Sequence, residues 1–529
     1  MNIPVKYLKV TGAIWLLLPV LLFMIGWLRS IIGIPIFILA ALASGLLIKK
    51  CLEDKTIIRV VPKQLFVILG LIFIVVLASG IGGFMYQLPA DHSVRNTIFE
   101  NLVKREWPVC AYGDGEPTFL CYYIGFWLPS ALIAKLAGGS MLVGNICMVI
   151  YAFIGLSTAI LLILWCLQNY SPWLVVLFFA YCGWDMVNCL LLSDNTYPNL
   201  FRFFLANKEL SAHWFAAPTL PIMLFYIYNQ GVAVWVGTAM LWIFRDKPEY
   251  LLLIFSGLLS YSPISAVGLV PFVAYGLLKH WQSSLSISNV IGFVICLVLA
   301  AYYMSNMNSG NYNILVQDVK LLSITDGKAD LLVRPANPMT YLYHLIVFAT
   351  FSYGVYLPFI WKEVRNDKLF WCMMAWTLLL PIIVLGDGFD FGIRVSMPFV
   401  CYFMFKIMSA ASHMKWHTMR STLFATMLFI GFIGGNFSTY GFAAICDINV
   451  LRGKTSTVEF FIHDLWSRAE NPWYNNFMGR YDSFFARKLM RRNGIPTPDD
   501  CEGKGYEKAS PKDLVETRER QDLSARESL

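Results

Sequence analysis

Charge is what this 529-residue chain is short of: 14% of its residues are Asp, Glu, Lys or Arg, against 57% apolar. A soluble domain carries about 25% charged residues on average, so composition excludes an ordinary soluble enzyme and points to a chain that meets lipid. The common catalytic signatures are missing as well. No GxGxxG, Walker loop, HExxH or GxSxG stands in a supporting context, which leaves phosphate cradling, zinc proteolysis and the serine nucleophile elbow without a carrier. The twelve cysteines include no CxxC and no Cys/His ligand spacing, so neither a metal site nor a disulfide framework is expected. Cys147, Cys166, Cys296, Cys372 and Cys401 fall within apolar segments, while Cys110, Cys446 and Cys501 would lie outside the membrane in the topology below, where a pairing among them is open.

What is there is span-and-loop punctuation. Thirteen apolar segments, at 10–28, 30–48, 64–84, 140–166, 172–184, 228–243, 249–261, 264–280, 288–305, 339–361, 369–386, 394–410 and 421–436, alternate with short charged connectors. The sequence therefore predicts an all-α polytopic membrane protein of about thirteen transmembrane helices. The segments at 172–184 and 249–261 are short for a crossing and are expected to extend, tilt or re-enter. No small-residue cleavage site separates the first two segments, so the N-terminal span reads as a retained anchor.

The net charge of +8 is spread by topology, not gathered in a patch, which argues against nucleic acid as a partner. Lys6 and Lys9, the five cations from Lys49 to Lys63, Arg245 and Lys247, Lys279, Lys362, Arg365 and Lys368, and Lys415 and Arg420 all fall on one side if thirteen spans is right. By the positive-inside rule that side is cytoplasmic. The expected location is a cell (inner) membrane, with the N-terminus cytoplasmic and the connectors 85–139, 185–227, 306–338 and 387–393 outside. The division follows: a two-span unit with its basic connector over 1–63, a core over 64–436, and an extracytoplasmic tail over 437–529, aromatic at first, folded against the membrane face and disordered from about 496. This scheme requires the apolar stretch 122–136, YYIGFWLPSALIAKL, to lie on the surface as an interfacial helix, as its length, Pro129 and crowded aromatics suggest. Were it a span, everything after it would invert.

Ionisable residues at the outer rim are the candidates for chemistry. Asp91, followed by His92 and Arg95, leaves the third span into a helix-compatible segment, where it would either face a substrate or cap that helix. Asp185 sits beside an apolar run in CGWDMVN, and Asp194, His213 and Trp214 follow in the same connector. In GDGFDFGIRVSMP, Asp387 and Asp390 precede Arg394. A guanidinium fork there suits a phosphate, while an Asp390 to Arg394 pair at i, i+4 is the structural alternative.

In the order of these features the chain resembles the GT-C superfamily of membrane glycosyltransferases, over roughly 64–410. An acid in the first large external loop is matched by Asp91 and an interfacial helix by YYIGFWLPSALIAKL. A second external acid, after a span pair, is matched by Asp185 and a late phosphate-contacting cation by Arg394. The chain has Asp91-His92 in place of an Asp-Glu or Asp-x-Asp pair, and two extra N-terminal spans.

The resemblance implies inverting transfer of a sugar from a polyprenyl-phosphate donor to a glycan, lipid or protein acceptor outside the membrane. Asp91 would be the general base, Asp185 a second catalytic acid, and Arg394, Asp390, His92, Arg95, His213 and Trp214 substrate contacts, with Arg334 a further candidate cation. No cofactor is expected, and the departure at Asp91-His92 leaves a divalent metal open. The competing classes are a secondary transporter, suggested only by the broken look of YSPISAVGLVP, a lipid-linked glycan polymerase or ligase, and a membrane scaffold.

Overall fold

The computed structural model describes residues 1–87, 91–113, 115–184, 187, 215, 217–309, 312–314, 320–325, 328–333, 338–385, 390–458, 462, 464–471 and 473–491. Asp185, Asp194, His213, Trp214, Arg334, Asp387, Cys501 and the end of the tail lie outside them.

The chain is mostly helical. Helices α1 (Val5–Trp27), α2 (Ser30–Leu52) and α3 (Pro62–Ala78) are followed by α4 (Asp91–Lys104), α5 (Leu128–Leu136), α6 (Met141–Leu167) and α7 (Pro172–Ala180). Then come α8 (Leu220–Phe225), α9 (Tyr228–Ile243), α10 (Leu251–Leu259), α11 (Pro263–Gly268), α12 (Val270–Lys279) and α13 (Ile287–Tyr303). The last six are α14 (Pro338–Ser352), α15 (Leu357–Val364), α16 (Lys368–Leu379), α17 (Asp390–His413), α18 (Met419–Gly431) and α19 (Phe437–Leu451). Local chemistry sets many of the starts. Ser140, Thr219, Ser262, Ser286, Asp367 and Thr418 each accept a backbone N–H of the first turn, satisfying donors a helix otherwise leaves open. Pro62 and Pro172 occupy first-turn positions where a missing N–H costs nothing.

All thirteen apolar segments overlap a helix, but among the described residues five helices are long and apolar enough to cross a membrane by themselves. They are Val5–Trp27, Ser30–Leu52, Met141–Leu167, Tyr341–Val364 and Phe391–His413. A sixth forms if Met419–Asn436 and Thr439–Leu451, bent by 52°, count as one. This architecture is that of a membrane-embedded helical protein. Phe391–His413 is buried over most of its length, whereas α2 and α3 turn Ile31, Leu42, Phe66 and Ile74 outward, an apolar rim suited to lipid.

Three sequence expectations change in detail. The stretch 122–136 is helical only over the nine residues of α5, about 14 Å of helix, less than half a hydrocarbon core. The helix ending the core does not stop at 436: a π-helical turn at Phe432–Asn436 carries it into α19. Short strands also join the helices. Strands β1 (Asn2–Pro4) and β2 (Ile57–Arg59) pair with each other, and β3 (Cys110–Gly113) and β4 (Glu116–Leu120) form a sheet with the tail strand Met478–Arg480.

Contacts sort the connectors to two ends of the bundle. At one end β1 pairs with β2, Lys9 meets Asp54 at 2.5 Å, Ser286 donates to the Glu249 carbonyl at 2.6 Å, and Lys406 meets Asp367 at 2.6 Å. At the other, reached through the length of α1, Arg29 Nε donates to the Met490 carbonyl at 3.2 Å and the Tyr86 N–H to Asp447 at 2.9 Å. There the tail docks on the first large connector, with Trp466, Tyr474, Phe477 and Met478 buried against it.

Candidate functional site

At the end where the tail docks, two helices are broken. The chain leaves α8 at Phe225 and restarts in α9 at Tyr228, and it leaves α10 at Leu259 and restarts in α11 at Pro263. A break exposes backbone carbonyls that a continuous helix would have paired, and here side chains of α4 take them. The Nε2–H of His92 donates to the Phe225 carbonyl at 2.5 Å, and Arg95 Nη1 donates to the Tyr226 carbonyl. Arg95 Nη2 also pairs with Asp91 Oδ1 at 3.0 Å, one turn back on the same helix, and its guanidinium lies 5.8 Å from the Tyr228 ring.

Burial makes this arrangement expensive. Arg95 keeps 3% of its side chain exposed and His92 is 1% exposed, whereas Asp91 is 42% exposed. Burial, helped by the Arg95 charge, pushes the His92 imidazole down to about 3, although its bond to the Phe225 carbonyl opposes this. A carbonyl only accepts, so the neutral ring carries its proton on Nε2. Its Nδ1 is then a bare acceptor, buried and without a partner among the described residues, as is the Nε donor of Arg95. For Arg95, desolvation is the largest influence and acts against the charge, but Asp91 together with Tyr122, Tyr228 and Tyr123 holds the guanidinium above its ordinary value.

The second break carries more polar groups. Ser262 donates to Gln230 Oε1 at 2.7 Å, and its hydroxyl lies 2.6 Å from that of Ser265, which in turn contacts the Met397 sulfur. Gln230 Nε2 and both side-chain polar atoms of Asn229 are buried without partners among the described residues. Such atoms cost about 1–3 kcal/mol each when nothing meets them, so each calls for a partner such as water, an ion or a ligand. Helix α11 sits flush on α17: a Cβ on Gly268 would collide with the Val395 carbonyl. That contact lies one residue from Arg394, which is 7% exposed.

Tyr122 joins the pieces. Burial drives its phenol well above the ordinary range, with Tyr123 adding to the effect, and Arg95 and Arg394 both oppose it, so both guanidinium groups lie within electrostatic reach of one phenol. Gly125, three residues on, donates its N–H to the Ser260 carbonyl at 3.2 Å, and the Trp127 indole N–H reaches the Tyr228 hydroxyl at 3.4 Å.

Of the sequence candidates, Asp91, His92 and Arg95 stand together at the first break, His92 and Arg95 buried and Asp91 part-exposed, and Arg394 is buried within electrostatic reach of the same Tyr122 as Arg95. Asp390 opens α17 four residues before Arg394, so the helix starts a turn earlier than the apolar run from 394 suggested. Asp185, His213 and Trp214 lie outside the described residues. Trp184, next to Asp185, is anchored by its indole N–H on the Met427 carbonyl at 3.0 Å and its backbone N–H on Phe351 at 2.9 Å. Tyr122, Tyr228, Asn229, Gln230 and Ser262 were not singled out from sequence. The signal available was YNQG and YSP, polar residues beside a Gly and a Pro in otherwise apolar runs. Among the described residues no three His, Cys, Asp or Glu side chains gather as a metal site. No family model, curated protein or solved structure matches the chain.

Proposed function

We propose that the chain is a membrane glycosyltransferase of the GT-C type, with about thirteen spans, which passes a sugar from a polyprenyl phosphate to an acceptor hydroxyl at the tail-docked end of the bundle. The observation that carries this reading is the buried Arg95, paired with the part-exposed Asp91 and lying with Arg394 within electrostatic reach of Tyr122, beside two broken helices with unpartnered polar groups among the described residues. That end would be extracytoplasmic, because the basic connectors collect at the other.

The acceptor oxygen attacks the anomeric carbon while the bond from that carbon to the phosphate oxygen breaks, inverting the centre. The acceptor proton passes to Asp91 and the electron pair leaves with the polyprenyl phosphate. Asp91 suits the base: Arg95 orients one of its oxygens, and the side chain reaches the accessible side of α4. Arg95 and Arg394, fixed in a low-dielectric wall, would meet the charge that develops on the leaving phosphate without reorganising. His92, neutral and accepting at Nδ1, would take a sugar or acceptor hydroxyl. Asp185 remains the proposed second acid and Asp390, His213 and Trp214 further substrate contacts.

The test is conversion of a polyprenyl-phosphate sugar by the purified protein in nanodiscs. Asp91→Asn should cut turnover about 10²- to 10⁴-fold with the fold intact. Arg394→Lys should chiefly weaken donor binding, since a point charge replaces a fork. Full turnover in folded Asp91→Asn removes Asp91 as the base.

Secondary transport is the second reading, favoured by one observation: transporters bind substrate at discontinuous helices with unpaired polar groups, and Asn229 and Gln230 stand at such a break. Solute uptake by proteoliposomes without any glycosyl product would select it.

A further inference from the structure

The opposite end of the bundle holds a cavity of about 630 Å³ that the proposed transfer does not use. Its walls come from the ends of α9, α12, α15, α16 and α17, and they bring together Arg245, Lys279, Lys362, Lys368 and Lys406 with three carboxylates, a net charge of +2.

The carboxylates are already engaged. Asp367 receives Lys406 at 2.6 Å and the Tyr402 hydroxyl at 2.6 Å, Asp246 lies 3.3 Å from Arg245, and Glu363 accepts from Ser409 at 3.1 Å. Lys279, Lys362 and Lys368 are left with no ion-pair partner among the described residues. The N-terminus of the twelve-residue helix α16 opens on the same space, its first-turn donor at Phe370 already met by the Asp367 cap.

One wall is apolar. Trp242 and Phe272 line the interior, and Tyr275 leads out along α12 to the exposed Leu278. Trp281, Trp361 and Trp416, each at least 45% exposed, stand at this same end, as tryptophans do at a membrane–water boundary.

We infer that this cavity binds a phosphate-bearing anion, with the headgroup of an anionic membrane phospholipid as the source the surroundings favour. The phosphate would sit among the three lysines, and the acyl chains would follow the apolar outer face of α12. A soluble phosphate ester offers the same head chemistry without the chains.

The test uses the full chain, delipidated in neutral detergent, with thermal unfolding followed as phosphatidylglycerol, phosphatidylcholine or glycerol phosphate is added. The triple variant Lys279→Gln/Lys362→Gln/Lys368→Gln removes the unpaired cations. The triple variant Lys49→Gln/Lys55→Gln/Arg59→Gln removes equal charge from the same end outside the cavity. Phosphatidylglycerol should protect the wild type and phosphatidylcholine should not. The cavity triple should need at least about tenfold more lipid while the control triple behaves as wild type. Protection by glycerol phosphate at similar concentration supports the phosphate site and assigns it to a soluble ester. Equal protection of the cavity triple, equal loss in both triples, or no protection by either phosphate overturns the inference.

Discussion

At the basic end of the bundle, Lys50 and Glu53 form an i, i+3 pair whose side chains keep 34% and 53% of their exposure. At the tail-docked end Arg95, also a helical residue paired one turn away, keeps 3%. The first pair stays in water and holds little energy. The second has been stripped of water and is held by an acid, two helix-break carbonyls shared with His92, and an aromatic face. Burying a cation costs several kcal/mol unless its partners are well placed, and Arg95 goes deeper than the paired cations Lys9 and Lys406 of the basic end, which each keep 12% of their exposure. That depth supports the α4 end as the place for the proposed chemistry.

The largest effect should come from removing the buried cation. Arg95→Met keeps the bulk but leaves the Tyr226 carbonyl without its donor and frees Asp91, so stability should fall by about 3 kcal/mol, the low end for a broken buried pair because Asp91 can re-enter water. Thermal unfolding in detergent measures it. A neutral result would mean that Arg95 is held at a net cost and that its place in the wall is not structural.

Next in size is a pH dependence centred on His92. Its folded value near 3 lies below the ordinary 6.5, so above pH 6.5 neither the folded nor the unfolded chain binds the proton and the residue adds no slope. Between 6.5 and 3 the unfolded chain takes up a proton that the folded chain refuses. Stability therefore falls as the pH falls, by about 1.4 kcal/mol per unit, or about 2 kcal/mol at pH 5. His92→Gln can still donate to the Phe225 carbonyl but does not titrate, so its melting temperature should drop less from pH 6.5 to 5. An unchanged slope would place the imidazole in contact with water and break the contrast between the ends.

The same contrast explains how far the sequence could be read. Apolar runs located the five helices long enough to cross a membrane because span length and apolarity are local properties, and they marked Asp91, Arg95 and Arg394 because charge is scarce beside such runs. The breaks at 226–227 and 260–262 were harder. Pro263 flagged the second, but the first is stabilised by His92 and Arg95 on a helix more than a hundred residues earlier, and no window over 220–243 contains that information. The sheet joining Thr118 to Arg480 and Phe119 to Gly479 was invisible for the same reason. Strand pairing is a property of two segments, and neither short strand declares itself alone. The start of α17 was read four residues late because Asp390 and Gly392 lower the local apolarity that was being followed.

The smallest expected effect is at Lys50, and its smallness is the point of comparison with Arg95. Lys50 lies in the last turn of α2, where its ammonium donates to Glu53 at 2.8 Å, a hydrogen bond reinforced by the attraction of the two charges. The carboxylate of Glu53 shifts downward for the same reason. Water and salt screen an exposed pair of this kind, and ordering two long side chains offsets what attraction remains. Lys50→Gln should therefore leave the melting temperature unchanged within error, at low and at high salt, and should leave glycosyl transfer unchanged as well. If Lys50→Gln destabilised the protein as much as Arg95→Met, the two ends would be handling charge alike, and the case for the α4 end as the functional one would lose its electrostatic basis.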